Sequence, residues 1–220
     1  GVMSRQVKKP KPLIYVFCEG ESEQAYVKFL KKRFSDVAVI NGPSKPELFE
    51  EADRRFRKDP KFRNSVEVTD EIWFFFDVER KDIEKWDRRL KIIKSLRKLR
   101  KNPNICVRLL MTTGCLEYWL MLHYKMFAPP LLEVADKERI IAEVKNREPL
   151  YEKGNETVTA RIAERYPTAM DNARKIMSNL LSEGLPGLED TDERNEWLCK
   201  QCKTFSNVNE AIEFLEQLKG

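Results

Sequence analysis

The chain has 220 residues, of which 41% are hydrophobic and 35% charged, with twelve Phe and four Trp. That composition excludes disorder, and a chain of this length needs neither disulfides nor a structural metal to hold its core. The formal charge of +5, from 41 basic and 36 acidic side chains, identifies no polyanion-binding protein by itself, and no apolar run reaches the ~20 residues of a membrane span.

Residues 1–11 read as a basic arm carrying Arg5, Lys8, Lys9 and Lys11. Leu13 to Cys18 is a short apolar run rich in β-branched and aromatic residues, which predicts a strand covered on both faces. Glu19-Gly20 ends it, and Glu21 to Phe34 shows helical spacing, with Glu21 and Glu23 as first-turn acids. Val37 to Ile40 predicts a second strand, Asn41-Gly42-Pro43 a turn, and Pro46 the start of a helix reaching Arg57. Glu71 to Asp77 holds five large apolar residues in succession, Ile72 to Phe76, and is placed centrally in the sheet. From Ile83 to Leu99 apolar positions recur every three or four residues, predicting a helix that Pro103 terminates. Ile105 to Met111 is a fourth strand and Cys115 to Tyr124 a further helix.

This alternation predicts an α/β fold over residues 12–128, with a mostly parallel four-stranded sheet flanked by helices. Beyond Pro129-Pro130 no convincing strand is seen. Helical segments near 133–145, 156–163, 167–182, 191–202 and 207–218 predict a helical C-terminal region, 129–220, packed on the sheet. Lacking the apolar core of a signal peptide, the chain is expected in the cytoplasm, with no membrane partner. Five cysteines fit reduced thiols, and Cys199 and Cys202, with one histidine in the chain, read as plain helical residues rather than half a zinc site.

Charge is unevenly spread. Residues 80–101 carry eleven basic and three acidic side chains, whereas residues 183–220 carry four basic and nine acidic. Such a basic stretch reads either as one wall of a polyanion site or as a solvated helix face.

The residues that point to chemistry are Glu19, Asp77 and Glu79. Glu19 follows the first strand and Asp77 closes the most buried one, so both belong at the carboxyl edge of a parallel sheet, where ligands bind. An extended chain would turn Asp77 and Glu79 to the same side. Carboxylates without a His or Cys cluster suit Mg²⁺ or Mn²⁺ better than zinc. Phosphate-binding loops of the GxxxxGK[ST] and GxGxxG types are absent. Glu117 and His123 lie about 240° apart on their helix and do not share a face unless it bends. Periodicity alone leaves His123 as a core or rim histidine and Glu117 as an ordinary first-turn acid.

Val16 to Glu23, Phe75-Phe76-Asp77-Val78-Glu79, Cys115 to His123, Tyr151 and Lys153, Ala169 to Arg174, and Thr204 to Val208 occur in an order that resembles the RloB-like family over nearly the whole chain. The resemblance implies a toprim-like (Rossmann-like) metal-binding domain, with Glu19 as the first-motif glutamate, Asp77 and Glu79 as the paired second-motif acids, and Glu117 and His123 as the third-motif acid and histidine. Two departures are Glu79, where the family has a second aspartate, and Thr113-Gly114, where it has Ser-Asn-Pro. The implied activity is a Mg²⁺-dependent (or Mn²⁺-dependent) nuclease of bacterial anti-phage defence, linked to restriction-modification proteins and forming a homodimer. Glu19, Asp77 and Glu79 would hold the metal, with Glu117 and His123 assisting. Arg80, Lys81, Arg88, Lys91, Lys94 and Lys98 would carry the nucleic-acid backbone, DNA in preference to RNA. The alternative is a nucleic-acid-binding or sensing module that keeps the toprim shell without turnover.

Overall fold

The computed structural model describes residues 10–42 and 44–220. Arg5, Lys8 and Lys9 of the basic arm, and Pro43 of the expected turn, lie outside the described residues. The chain alternates β1 (Leu13–Cys18), α1 (Glu21–Arg33), β2 (Val39–Asn41), α2 (Phe49–Lys58), α3 (Pro60–Arg63), β3 (Thr69–Val78), α4 (Trp86–Arg97) and β4 (Cys106–Thr113). There follow α5 (Leu116–Leu122), α6 (Val134–Arg147), α7 (Glu156–Ala163), α8 (Tyr166–Leu180), α9 (Asp192–Lys200) and α10 (Val208–Leu218).

Where boundaries differ from the sequence reading, hydrogen bonds explain the shift. Val37 and Ala38 donate to the Phe34 carbonyl and close α1, so β2 begins later, at Val39. Pro46 does not open α2, because the Glu47 N–H is still bonded to the Cys18 carbonyl; the helix starts at Phe49, with Glu51 accepting the Leu48 N–H. A 3₁₀ turn over Arg80–Lys85 precedes α4, which therefore starts at Trp86 and not at Ile83. Helix α9 stops at Lys200, and Cys202 lies beyond it with a positive φ of 53°. The five cysteines are free thiols.

The strands form one sheet in the order β2-β1-β3-β4, every neighbouring pair parallel. Both central strands are buried, and Glu71 to Phe76 of β3 is sealed on both faces. Phe74 and Phe76 pack on Phe49 of α2, while Tyr15 and Phe17 pack on Phe56 and Phe62. On the opposite face Phe75 meets Tyr26 of α1, and Trp73 meets Phe214 of α10. From β1 the chain leaves to one side, through α1 to β2. It then returns across β1 to β3 and continues outward to β4. Strand order thus reverses between β1 and β3, and this is the point at which open α/β sheets leave a crevice beyond their strand ends.

The helical region is tied to this sheet by backbone as well as by packing. Residues 203–207 run along the free edge of β4, with an antiparallel bridge between Thr112 and Ser206. The Asn207 side chain accepts the Met111 N–H at 2.6 Å and donates to the Leu109 carbonyl at 3.0 Å, all within the core. Asn207→Ala leaves both buried backbone groups without these partners. The expected loss is about 2 kcal/mol or more, given ~1–3 kcal/mol for each unsatisfied buried group, read as a lower urea midpoint at unchanged slope.

Candidate metal centre

Glu19 is the first residue past β1, and its N–H continues the ladder by donating to the Phe75 carbonyl at 3.0 Å. Its Oε2 accepts the Asp77 N–H at 2.7 Å, which fixes the carboxylate across the gap between the two strand ends. Asp77 lies next to last in β3, opposite Thr112 of β4. Glu23 enters from the first turn of α1. Helical side chains lean toward the N-terminus of their helix, so a first-turn acid reaches back over the strand ends. Oxygens of Glu19, Glu23 and Asp77 all lie within 4.8 Å of one another. Gly20, the N-cap of α1, leaves room for this: a Cβ there would stand 3.2 Å from Glu23 Oε2.

All three acids have raised pKa values, with burial the first cause in each. Burial pushes Asp77 well above the usual carboxylate range, and the charges of Glu23 and Glu19 push it further. Glu23 is pushed up to about 7, first by burial and then by Glu19 and Glu117 against the pull of its hydrogen bonds. Glu19 is raised by burial, with the Asp77 N–H working against the shift. Asp77 Oδ1 is buried and unpartnered among the described residues. An all-oxygen donor set with an orphaned buried oxygen fits a hard divalent cation such as Mg²⁺ or Mn²⁺, whose charge would relieve the repulsion.

The other acids implied by the sequence stand elsewhere. Glu79 is not in the group of three, because its carboxylate is drawn to Lys137 of α6 and to Lys81, the latter at 3.1 Å. Burial raises its pKa, but Lys137 and Lys81 outweigh that and hold it below the ordinary value. Glu117, fully buried at the start of α5, accepts from the Tyr151 hydroxyl at 3.1 Å and from the Lys153 ammonium. Its Oε2 is buried without a partner among the described residues. His123 lies in the core, with Nδ1 on the Trp119 carbonyl at 2.9 Å and Nε2 on the Tyr26 hydroxyl at 3.0 Å. A carbonyl only accepts, so Nδ1 carries the proton and Nε2 accepts from Tyr26. Burial pushes the imidazole pKa down to about 4, so the ring is neutral and both nitrogens are occupied.

Arg80, Lys81, Arg88, Lys91, Lys94 and Lys98 are exposed, whereas Arg89 is buried. Arg80 pairs with Glu133, Lys81 with Glu79, and Arg88 with Glu50. Because α4 carries the chain from the end of β3 back to the start of β4, its residues retreat from the carboxyl edge by about 1.5 Å each. Arg80 and Lys81 therefore flank the crevice, whereas Lys91, Lys94 and Lys98 stand progressively farther from it. Part of the basic face is also covered from within, since Arg97 makes a two-pronged pair with Asp192 of α9 at 2.7 and 2.9 Å.

Reading the sequence alone passed over Glu23, Lys137 and the site contacts of Tyr151 and Lys153. Glu23 had a signal: it lies four residues after Glu19, in the first turn of the helix that follows β1. Lys153 had only its place in the family resemblance, and Lys137 had none, because loop and helix packing brings both in from the distant C-terminal half.

A parallel α/β sheet with carboxylates converging at its switch point defines the class, and points to a toprim-like metal-binding module. The chain belongs to the RloB-like protein family, whose model matches residues 14–215. Searches of curated proteins and of solved structures each gave no match. Among the described residues no helix is long and apolar enough to cross a membrane.

The raised pKa of Glu23 sets a pH dependence. Between the ordinary glutamate value near 4.5 and about 7, the folded protein holds a proton that the unfolded chain has released. Without divalent ions, Tm should therefore fall as pH rises through that window, and Glu23→Gln should flatten the slope. Added Mn²⁺ should raise Tm more at the upper end of the window than at the lower, because binding displaces the proton. Thermal denaturation at several pH values, with Mn²⁺ or chelator, measures both effects.

Proposed function

We propose that the protein is a Mg²⁺-dependent phosphodiesterase that cleaves nucleic acid, DNA in preference to RNA, in bacterial anti-phage defence beside restriction-modification proteins. The observation that carries this reading is the group of Glu19, Glu23 and Asp77, within 4.8 Å at the switch point of the sheet. Family membership supports it. On this reading residues 12–128 and 129–220 form one catalytic unit in the cytoplasm, assembled as a homodimer.

Glu19, Glu23 and Asp77 would hold the ion. When bound, Mg²⁺ supplies positive charge that stabilises the phosphoryl oxygens of a phosphodiester under attack. Glu19 is oriented for its part by the Asp77 N–H, which occupies its Oε2. Glu117 lies behind this group and fixes Tyr151 and Lys153 near it. His123 orients α1 against α5 through Tyr26. Glu79 holds α6 at the rim through Lys137. Arg80 and Lys81 flank the crevice on the side from which a polyanion would approach, and Arg88, Lys91, Lys94 and Lys98 extend that positive strip along α4.

A second reading, a nucleic-acid-binding or sensing module without turnover, is favoured by one observation: Glu79 is engaged by two lysines and stands apart from the other acids. A cleavage assay separates the two. Wild type should cut short labelled DNA in Mg²⁺ or Mn²⁺ and stop on chelation. Asp77→Asn should stay folded and lower metal affinity by at least the ~10–100-fold seen when mere supporting partners of metal ligands are lost. Parallel RNA and single-strand substrates read the preference. Binding without cleavage by the wild type in either metal supports the second reading, and full activity of Asp77→Asn contradicts the first.

A further inference from the structure

The loop between α6 and α7 is seated on the metal centre more tightly than a connecting loop needs to be. Tyr151 is buried, with its hydroxyl on Glu117. Gly154 has a positive φ of 83°, and a Cβ there would stand 3.1 Å from the Glu21 Cβ, so the loop lies directly against the first turn of α1. Asn155 then caps α7 by accepting the Val158 N–H at 3.1 Å. Anchored on both sides, Lys153 reaches the fully buried Glu117 while its own side chain stays 55% exposed. Burial pulls its pKa down, but Glu117, and beyond it Asp77, hold it above the ordinary value, so the ammonium keeps its charge beside the acids.

An ammonium has three donors, and Glu117 is the partner Lys153 shows here. Among the described residues near the crevice, Lys81 and Lys137 are both spent on Glu79, and Lys85, which lines a cavity with Glu19, pairs with Asp82 at 3.5 Å. Lys153 combines a rigid seat with an open face, on Glu117 and close enough to Asp77 to feel its charge. Lysine used in this way is a point-charge ligand for phosphate oxygens.

We infer that Lys153, held by Glu117 in the loop before α7, contacts the non-bridging oxygens of the phosphodiester brought to Glu19, Glu23 and Asp77. This rests on the nucleic-acid reading above, but it concerns substrate binding and is tested apart from turnover. The competing explanation is that Lys153 only balances the charge of buried Glu117.

The test measures binding of a short fluorescent DNA oligonucleotide by anisotropy, in Ca²⁺ to suppress cleavage, and Mn²⁺ binding by calorimetry without nucleic acid. Thermal denaturation confirms that each variant folds. Lys153→Met should weaken oligonucleotide binding by about tenfold or more, as for the loss of a charged hydrogen bond, with Mn²⁺ affinity within about twofold of wild type. Lys153→Arg should restore most of the binding. Lys153→Met combined with Glu117→Gln should remain weak, since removing the buried charge does not replace the phosphate contact. Recovery in that double variant, unchanged binding by Lys153→Met, parallel loss of Mn²⁺ affinity, or a wild type that binds no oligonucleotide would each overturn the inference. A wild type that binds DNA through Lys153 without cutting it in Mg²⁺ removes the nuclease reading and leaves this one standing.

Discussion

Three carboxylates confined at the ends of two parallel strands cannot all keep their charge, and the surrounding structure is arranged to hold them there. The Asp77 N–H locks Glu19 across the strand gap. The absence of a side chain at Gly20 admits Glu23. The sealed aromatic interior of β3 fixes the strand that carries Asp77. Folding therefore concentrates negative charge in a place of low dielectric, at a cost that a divalent cation or a bound proton offsets. The elevated pKa of all three acids is the signature of that arrangement.

Around this centre the two parts of the chain divide the charges. The sheet and the helices α1 and α5 packed on it supply the acids, and the helical region supplies two of the lysines that face them, Lys137 to Glu79 and Lys153 to Glu117. Both pairs join segments far apart in sequence, so they dock the helical region on the rim while tuning its electrostatics. The same region is fastened to β4 by Ser206 and Asn207. Farther off, Asp192 takes Arg97 into a paired contact, so the basic helix and the acidic C-terminal stretch partly neutralise each other.

The sheet could be read from the chain because its strands are short, apolar and separated by amphipathic helices; β3 declared its central position through Ile72 to Phe76. Two of the three clustered acids, Glu19 and Asp77, followed from where strands end. Glu23 did not, since a first-turn glutamate has an ordinary dipole explanation and its approach to the strand ends depends on how α1 leaves Gly20. Glu79 shows the opposite limit. Period-two spacing put it beside Asp77, but Lys137, fifty-eight residues away, draws its carboxylate aside. Spacing set Glu117 and His123, at the start and the C-cap of α5, on different azimuths, and their partners differ: Tyr151 and Lys153 for the first, Trp119 and Tyr26 for the second. The edge contact of Ser206 has no local pattern at all, being a single bridge after a helix.

The most direct measurement is anomalous diffraction from crystals soaked in Mn²⁺. The account predicts an anomalous peak bounded by oxygens of Glu19, Glu23 and Asp77, with Glu79 still on Lys137. A crystal that takes up Mn²⁺ only elsewhere, or that shows no peak between these three carboxylates at saturating Mn²⁺ and a pH above the Glu23 transition, would contradict it.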